Sequence, residues 1–248
     1  MKMIGAVGDD SYGLTVLNGL KDVGIDASGV RVRKGEKTGV STIIVEDSTG
    51  ENRIIFSPHA NGTMRPGEYA DLPRPLPDLI VLQLEIPSET VTQIISTAQE
   101  LGVPVLLNPA PAQQIDKKCY AGITHLIMNE TEAAISSGHN ESELDTEAAQ
   151  SSVAQIFHEL GTKHVLITLG SRGVYYSVLG GARGYANAVK VDAIDTTAAG
   201  DTFVGVYALE TVKADFDVER AVHLANLAAS KTVMRKGAQV SIPWLDEL

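Results

Sequence analysis

The chain has 248 residues, of which 44% are hydrophobic, and its formal net charge at pH 7 is −11. That length can bury one large core, so a single α/β domain over residues 1–248 is expected. The acidic balance, without a Lys/Arg-rich run, disfavours nucleic acid or an anionic membrane as a partner and favours a small-molecule substrate. A single cysteine, Cys119, rules out an internal disulfide and a cysteine zinc cage. With no secretory signal recognised, we expect a cytoplasmic protein, with the nucleus as the alternative.

The first part of the chain predicts a strand, a helix and a hairpin. Residues 3–7 form a short apolar run, and the helix that follows ends at Gly24. Two runs rich in β-branched residues, 38–45 and 53–56, flank a turn at 47–50 and predict a β-hairpin. The hairpin over 38–57 is interpreted as a remnant of a lid or, equally, as an ordinary edge hairpin.

Buried strands then alternate with amphipathic helices. Strands are predicted at 79–82, 103–107, 123–128 and 164–169, with helices at 88–101 and 146–161 between them. A second hairpin is predicted from strands 174–178 and 185–191, followed by an apolar helix over 203–212, expected to be buried, and a helix capped by Asp217. This alternation predicts a mostly parallel sheet covered by helices on both faces.

Polar or glycine-rich segments follow the predicted strands. Ligands of open parallel sheets bind outside the carboxyl ends of the strands. The residues at those ends are Gln83, Glu85, Asn108, Asn129, Glu132 and the segment 168–173, joined by the turn 195–201. Their convergence predicts a functional site at this edge of the sheet.

The turn 195–203 carries the clearest chemistry. Small residues precede an apolar helix, whose first N–H groups and dipole favour a bound anion. The Asp201 carboxylate could accept a proton from an alcohol held beside a phosphate, which is the general-base part of phosphoryl transfer. A plain helix N-cap would explain the same residues.

Several linked motifs resemble the ribokinase family of small-molecule kinases, also called the PfkB carbohydrate kinases. The segments that carry the resemblance are 3–11, 108–112, 129–132, 166–173, 195–203 and 235–239. The resemblance implies a ribokinase-like fold and transfer of the ATP γ-phosphate to the primary hydroxyl of D-ribose. It also implies Mg²⁺ with ATP and a monovalent cation, K⁺, as cofactors.

The resemblance assigns roles to individual residues. Asp201 is implied as the catalytic base, and the N–H groups of Ala199, Gly200 and Asp201 as the anion hole for the γ-phosphate. Glu85 is implied to accept a sugar hydroxyl opposite Asp201, although a solvated loop carboxylate is the alternative. Asn129 and Glu132 match the Asn-x-x-Glu motif that organises Mg²⁺ and the phosphates, although Glu132 could also be surface decoration.

Nucleotide and cation contacts follow from the same resemblance. The implied nucleotide-binding residues are Asn129, Thr168, Gly170, Ser171, Arg172, Gly173, Gly200 and Asn226. Asn226 lies where the family contacts adenine, with a solvent-facing mid-helix asparagine as the alternative. The positions implied for the monovalent cation, mostly through backbone carbonyls, are Asp195, Thr197, Thr232, Arg235, Gly237 and Ser241.

One part of the family pattern has no counterpart in the sequence. The opening strand with its sugar-binding Asp and the Gly-Gly-Lys-Gly-x-Asn segment are missing, so we expect weaker sugar binding, lid closure and homodimer formation, and an exposed sheet edge beside residues 3–7. A fragment, a short gene model and a natural short form all stay open. The alternatives to an active sugar kinase are a catalytically silent nucleotide-binding short form and a sibling sugar or nucleoside kinase.

Overall fold

The computed structural model describes residues 1–45 and 52–248, which divide into two compact units. The first unit comprises Met1–Ala70 and Glu85–Ile94, and the second comprises Asp71–Leu84 and Ile95–Leu248. The single-domain expectation stays a prediction. None of the helices in the described ranges is both long and apolar enough to cross a membrane.

The first unit contains two small sheets. Strand β1 (Lys2–Gly8) pairs in parallel with β2 (Asp26–Arg33) across helix α1 (Ser11–Asp22). Strands β3 (Val40–Val45) and β4 (Asn52–Ser57) form an antiparallel pair, which confirms the predicted hairpin. Its predicted turn, 47–50, lies outside the described residues.

The second unit is built on a six-stranded sheet. Its strands are β5 (Ile80–Leu82), β6 (Val105–Leu107), β7 (His125–Asn129), β8 (His164–Thr168), β9 (Val174–Val178) and β10 (Arg183–Ala186). Strands β5 to β8 are parallel neighbours in chain order, whereas β9 and β10 continue the sheet antiparallel. The predicted mostly parallel sheet is confirmed.

Helices cover both faces of this sheet. The remaining helices are α2 (Ser88–Leu101), α3 (Glu130–Ser137), α4 (Glu147–Glu159), α5 (Ala199–Thr211) and α6 (Val218–Val233). Tyr176 of β9 belongs to the apolar cluster formed with α5 and α6. The next residue, Ser177, points to the opposite face, where its hydroxyl lies 2.9 Å from Nε2 of His158 on α4.

Two predicted elements differ from the structure by four or more residues at one end, whereas others differ by one or two. Helix α5 begins at Ala199 rather than at residue 203, because the left-handed backbone of Ala198 (φ 62°) starts the helical turn there. It is also less buried than expected, since Leu209 is 59% exposed. Strand β10 ends at Ala186 instead of residue 191. At that end, the side-chain amide of Asn226 donates hydrogen bonds to the carbonyls of Ala186 and Asn187.

Candidate active site

A cleft of about 170 Å³ opens at the carboxyl edge of the parallel strands. It is lined by Asn108, Ala110, Ile127, Met128, Asn129, Glu132, Thr168, Ala198, Gly200, Asp201 and Val204. The lining residues come from the ends of β6, β7 and β8, from the start of α3 and from the first two turns of α5 with its N-cap. The structure therefore brings together the Asn-x-x-Glu pair, Thr168 and the Gly200–Asp201 turn, which the sequence places far apart.

The first turn of α5 presents backbone donors to this cleft. The N-cap, Ala198, has no side-chain acceptor for them. Within the described chain, the N–H groups of Gly200 and Asp201 meet no protein acceptor, whereas that of Ala199 donates to the Thr196 carbonyl at 3.3 Å. Two of the three predicted anion-hole amides are thus unpaired at the N-terminus of α5. The helix dipole also favours an anion at that end. Asp201 is exposed rather than turned into the core.

Glu132 is a buried carboxylate held by three N–H donors. Its side chain and that of Asn129 form a capping box at the start of α3, with Oε2 accepting from the Asn129 N–H at 2.9 Å and Oε1 from Asn129 Nδ2 at 2.9 Å. Asn108 Nδ2 donates to Oε2 at 3.0 Å. A carboxylate has about four acceptor positions. The three donors leave one on Oε1, which suits one more bond, such as to a water of a hydrated Mg²⁺.

The electrostatics of Glu132 reflect the cleft. Burial raises the pKa of Glu132, the hydrogen bonds from Asn129 and Asn108 lower it, and the charge of Asp201 raises it again. The two carboxylates are therefore close enough for the charge of one to affect the other. With only 7% of Glu132 exposed, the alternative of surface decoration does not fit.

The turn before α5 is fastened to the end of α6. Asp195 accepts the Thr197 N–H through Oδ1 and the Gly237 N–H through Oδ2, each at 2.9 Å. A hydrogen bond from the Thr197 side chain, followed by those from the Gly237 and Thr197 N–H groups, lowers the pKa of Asp195 to about 2, well below its usual value. The Asp195 N–H in turn donates to the Val233 carbonyl at 3.1 Å. Three predicted cation positions, Asp195, Thr197 and Gly237, thus lie together.

The other positions predicted for the monovalent cation have partners nearby. The Thr232 carbonyl accepts from the Arg235 N–H at 3.0 Å, the Arg235 guanidinium pairs with Glu247, and Ser241 is fully buried. No group of three His, Cys, Asp or Glu side chains able to hold a metal occurs within residues 1–45 and 52–248. Backbone carbonyls fall outside such a group.

The predicted nucleotide contacts lie around the end of β8. Thr168 lines the cleft, and the 3₁₀ turn Gly170–Arg172 with its C-cap, Gly173, follows it. Gly173 has φ 101°, and a Cβ there would lie 2.1 Å from the Ala186 carbonyl oxygen, so only glycine fits. The Arg172 guanidinium pairs with Glu130 and lies 3.4 Å from Asp145. Ser171 is exposed.

Two predicted positions have other surroundings. Asn226 is half-buried, and its amide donates to the Ala186 and Asn187 carbonyls at 3.3 and 3.4 Å, so the solvent-facing alternative does not hold. Glu85 is an exposed residue of the first unit, between β5 and α2. Its predicted role toward a sugar stays a prediction.

The sequence interpretation gave no role to Asn108, Thr202 or the Thr232 hydroxyl. Asn108 follows a predicted strand and is the first residue of the 108–112 motif. This position is the sequence signal that indicated a functional residue there. The Thr202 and Thr232 hydroxyls lie 2.9 Å apart behind the turn, and a pair 30 positions apart in sequence leaves no local pattern.

Comparisons with known proteins agree with this geometry. The chain matches the pfkB family of carbohydrate kinases over residues 1–245. It is 38% identical over 250 residues to the ribokinase of Schizosaccharomyces pombe, which covers 100% of this chain and 78% of that protein. Its fold is similar to the solved ribokinase of Thermotoga maritima, with a TM-score of 0.83 and 31% identity over 99% of this chain and 79% of that one.

A second solved structure has bound substrates. The ribokinase of Arabidopsis thaliana, complexed with ribose and ATP, is similar with a TM-score of 0.83 and 29% identity over 98% of this chain and 78% of that one. The chain belongs to the pfkB family of carbohydrate kinases. The predicted family, the ribokinase-like fold and the enzyme class, a ribokinase-type phosphotransferase with an alcohol group as acceptor, are confirmed.

Proposed function

We propose that the chain transfers the γ-phosphate of ATP to the primary hydroxyl of D-ribose, with Asp201 as general base. The observation that carries the proposal is the cleft in which the exposed Asp201 carboxylate lies beside the unpaired Gly200 and Asp201 amides and the held Glu132 carboxylate. The ribose and ATP of the similar Arabidopsis thaliana protein support the same pair of substrates.

The residues of the cleft divide the work of phosphoryl transfer. The amides of Gly200 and Asp201 stabilise the charge of the transferring phosphoryl group, as preorganised donors do in acyl and phosphoryl transfer. Asp201 takes the proton of the sugar hydroxyl as that oxygen attacks phosphorus. Glu85 does not line this cleft, and its role as acceptor of another sugar hydroxyl is proposed from the family resemblance alone. Thr168, the 170–173 turn and Asn226 contact the nucleotide.

The cofactors fit the donors that the chain offers. The Asn129–Glu132 pair, with one acceptor position left on Oε1, would hold a water of Mg²⁺, whose charge neutralises the phosphates when bound. The segment 195–197 and the end of α6, joined through Asp195 and Gly237, would supply carbonyls for a monovalent cation such as K⁺. The proposal includes a cytoplasmic location for this reaction.

Two other functions stay as alternatives. A catalytically silent nucleotide-binding form would bind ATP without a sugar response, and a sibling kinase would phosphorylate another sugar or a nucleoside with the same cleft. Both retain Asp195, Asp201 and Glu132, so the choice rests on the sugar side of the site.

A coupled ATPase assay with a substrate panel tests the proposal. D-ribose, 2-deoxy-D-ribose, D-fructose and adenosine are supplied with Mg²⁺, ATP and K⁺, and the phosphorylated carbon of the product is assigned by ³¹P–¹H NMR. Turnover with ribose and phosphate on its primary hydroxyl are expected. Turnover only with another panel member would favour the sibling kinase. ATP binding by calorimetry with no turnover on any member would favour the silent form.

A further inference from the structure

Two buried threonine hydroxyls lie directly behind the anion-binding turn. Thr202 follows Asp201 on α5 and is 2% exposed, and Thr232 lies near the end of α6 and is 0% exposed. Their Oγ1 atoms are 2.9 Å apart. This contact joins the first turn of α5 to the last turn of α6. The chain that follows α6 carries Gly237, whose N–H donates to Asp195.

The hydroxyl protons are fewer than the contacts. Thr202 Oγ1 also lies 2.8 Å from the Ala198 carbonyl oxygen, and Thr232 Oγ1 lies 3.2 Å from the Ala228 carbonyl oxygen. Each hydroxyl has one proton, so only two of these three contacts can be hydrogen bonds at once. The two shorter distances select one arrangement, in which Thr232 donates to Thr202 and Thr202 donates to the Ala198 carbonyl.

This relay of two hydrogen bonds, from Thr232 to Thr202 and from Thr202 to Ala198, ends at the carbonyl of Ala198, the residue that precedes the anion-hole amides. Ala198 is the helix N-cap in a left-handed conformation, with φ 62°, which an alanine rarely adopts without support from its surroundings. Its carbonyl also accepts the Thr202 N–H at 2.9 Å. With Ala198 held in this way, the amides of Gly200 and Asp201 lie in the first helical turn without an acceptor in the described chain.

We propose that Thr202 and Thr232 are positioning residues that hold Ala198 in its left-handed conformation and so keep the Gly200 and Asp201 amides aimed at the terminal phosphate. The inference rests on the proposed function for the identity of the anion. The contacts themselves do not depend on it. Because the relay acts on the hole for the third phosphate, loss of either hydroxyl should weaken binding of a triphosphate more than binding of a diphosphate.

The test uses valine variants, which remove the hydroxyl at nearly constant volume, and serine variants, which keep it. Thr202→Val and Thr232→Val are compared with Thr202→Ser and Thr232→Ser. The matched control is Thr211→Val, since Thr211 Oγ1 makes the same kind of bond to the Ala208 carbonyl, at 2.8 Å, at the far end of α5. For each protein, calorimetry with Mg²⁺ gives affinities for ADP and a non-hydrolysable ATP analogue, and hydrogen exchange is followed by mass spectrometry over residues 196–203.

The valine variants at 202 and 232 should lose about tenfold in affinity for the ATP analogue, with ADP affinity changed less than twofold. The hydrogen-bonded amides of the 196–203 segment, such as those of Ala199 and Thr202, should exchange about tenfold faster. Both serine variants and Thr211→Val should behave as the wild type. Equal losses for ADP and the analogue, or unchanged exchange over 196–203 in the valine variants, would overturn the inference.

Failure of the proposed function has a different signature. If the wild type phosphorylates no member of the substrate panel, the ribose assignment fails. The nucleotide affinities and the hydrogen exchange of the variants still test the role of the two threonine hydroxyls. If no nucleotide binds at all, the exchange comparison alone decides it, for or against. If a valine variant does not fold, the serine variant at the same position and the other valine variant still give the comparison.

Discussion

Replacing Asn108 with alanine removes a donor that serves two acceptors. Asn108 Nδ2 lies 3.0 Å from the Ile127 carbonyl oxygen and 3.0 Å from Glu132 Oε2. A bond to a neutral carbonyl contributes about 1 kcal/mol and one to a charged group about 1.5–3 kcal/mol. Asn108→Ala should therefore lower the free energy of unfolding by about 2.5–4 kcal/mol.

The same change should reach the cleft through Glu132. Without Asn108 the pKa of Glu132 rises further, because one of the hydrogen bonds that lower it is gone. A carboxylate held by two donors instead of three is positioned less firmly and should need a higher Mg²⁺ concentration for half-maximal turnover. The readouts are urea unfolding for stability and a Mg²⁺ titration of the coupled assay for the cleft.

A matched amide-to-carbonyl bond provides the control. Gln114 Nε2 donates to the Ile135 carbonyl at 3.2 Å in an exposed position. Gln114→Ala should change the unfolding free energy by less than about 0.5 kcal/mol and leave the Mg²⁺ titration unaltered. Unfolding of Asn108→Ala within about 0.5 kcal/mol of the wild type, together with a wild-type Mg²⁺ dependence, would refute the reasoning.

Two further predictions concern stability. Burial holds the pKa of His125 at about 3 and that of His164 at about 4, below the usual value of about 6.5, in rings stacked 4.4 Å apart. The contribution of these neutral rings to folding stability is present above pH 6.5 and is lost as the pH falls toward 4. Urea unfolding at pH 5 should therefore show about 1–2 kcal/mol less stability per histidine than at pH 7. His164→Phe should flatten that pH dependence. An equally steep dependence in His164→Phe would contradict the assignment. In Gly173→Ala the new Cβ would lie 2.1 Å from the Ala186 carbonyl oxygen, so the free energy of unfolding should fall by at least about 2 kcal/mol. The control is Gly205→Ala, which has open space around its Cβ position and should not lose stability. Equal urea unfolding midpoints for the two variants would contradict this prediction.

The sequence predicted the elements whose pattern is regular and local. Most strands of the large sheet are short, continuously buried apolar runs, and helices α2, α4 and α6 follow an apolar periodicity of 3.6 residues. Strand β2, Asp26–Arg33, was missed because it carries Asp26, Arg31 and Arg33 and two small residues, Ser28 and Gly29, and its residues are mostly exposed or half-buried. Its identity as a strand comes from pairing with β1, which no local pattern encodes.

The candidate site shows the same division. Asp201, Asn129 and Glu132 were predicted because each stands at a strand or helix end with a recognisable neighbour. The roles inferred for Asn108 and Thr232 come from contacts to residues 24 and 30 positions away in the chain. Those contacts exist only once the parallel strands and the two last helices are packed, so spacing along the sequence could not reveal them.

The central claim is that Asp201 acts as a base at a phosphate-binding helix terminus, and one substitution tests it most directly. Asp201→Asn keeps the shape and the backbone amides but removes the proton acceptor. Turnover should fall by about 10²-fold or more while the affinity for ADP, measured on the same sample, stays within about twofold of the wild type. The control is Asp192→Asn, an exposed carboxylate in the preceding loop, which should leave both values unchanged. Turnover of Asp201→Asn within a few-fold of the wild type would contradict the account.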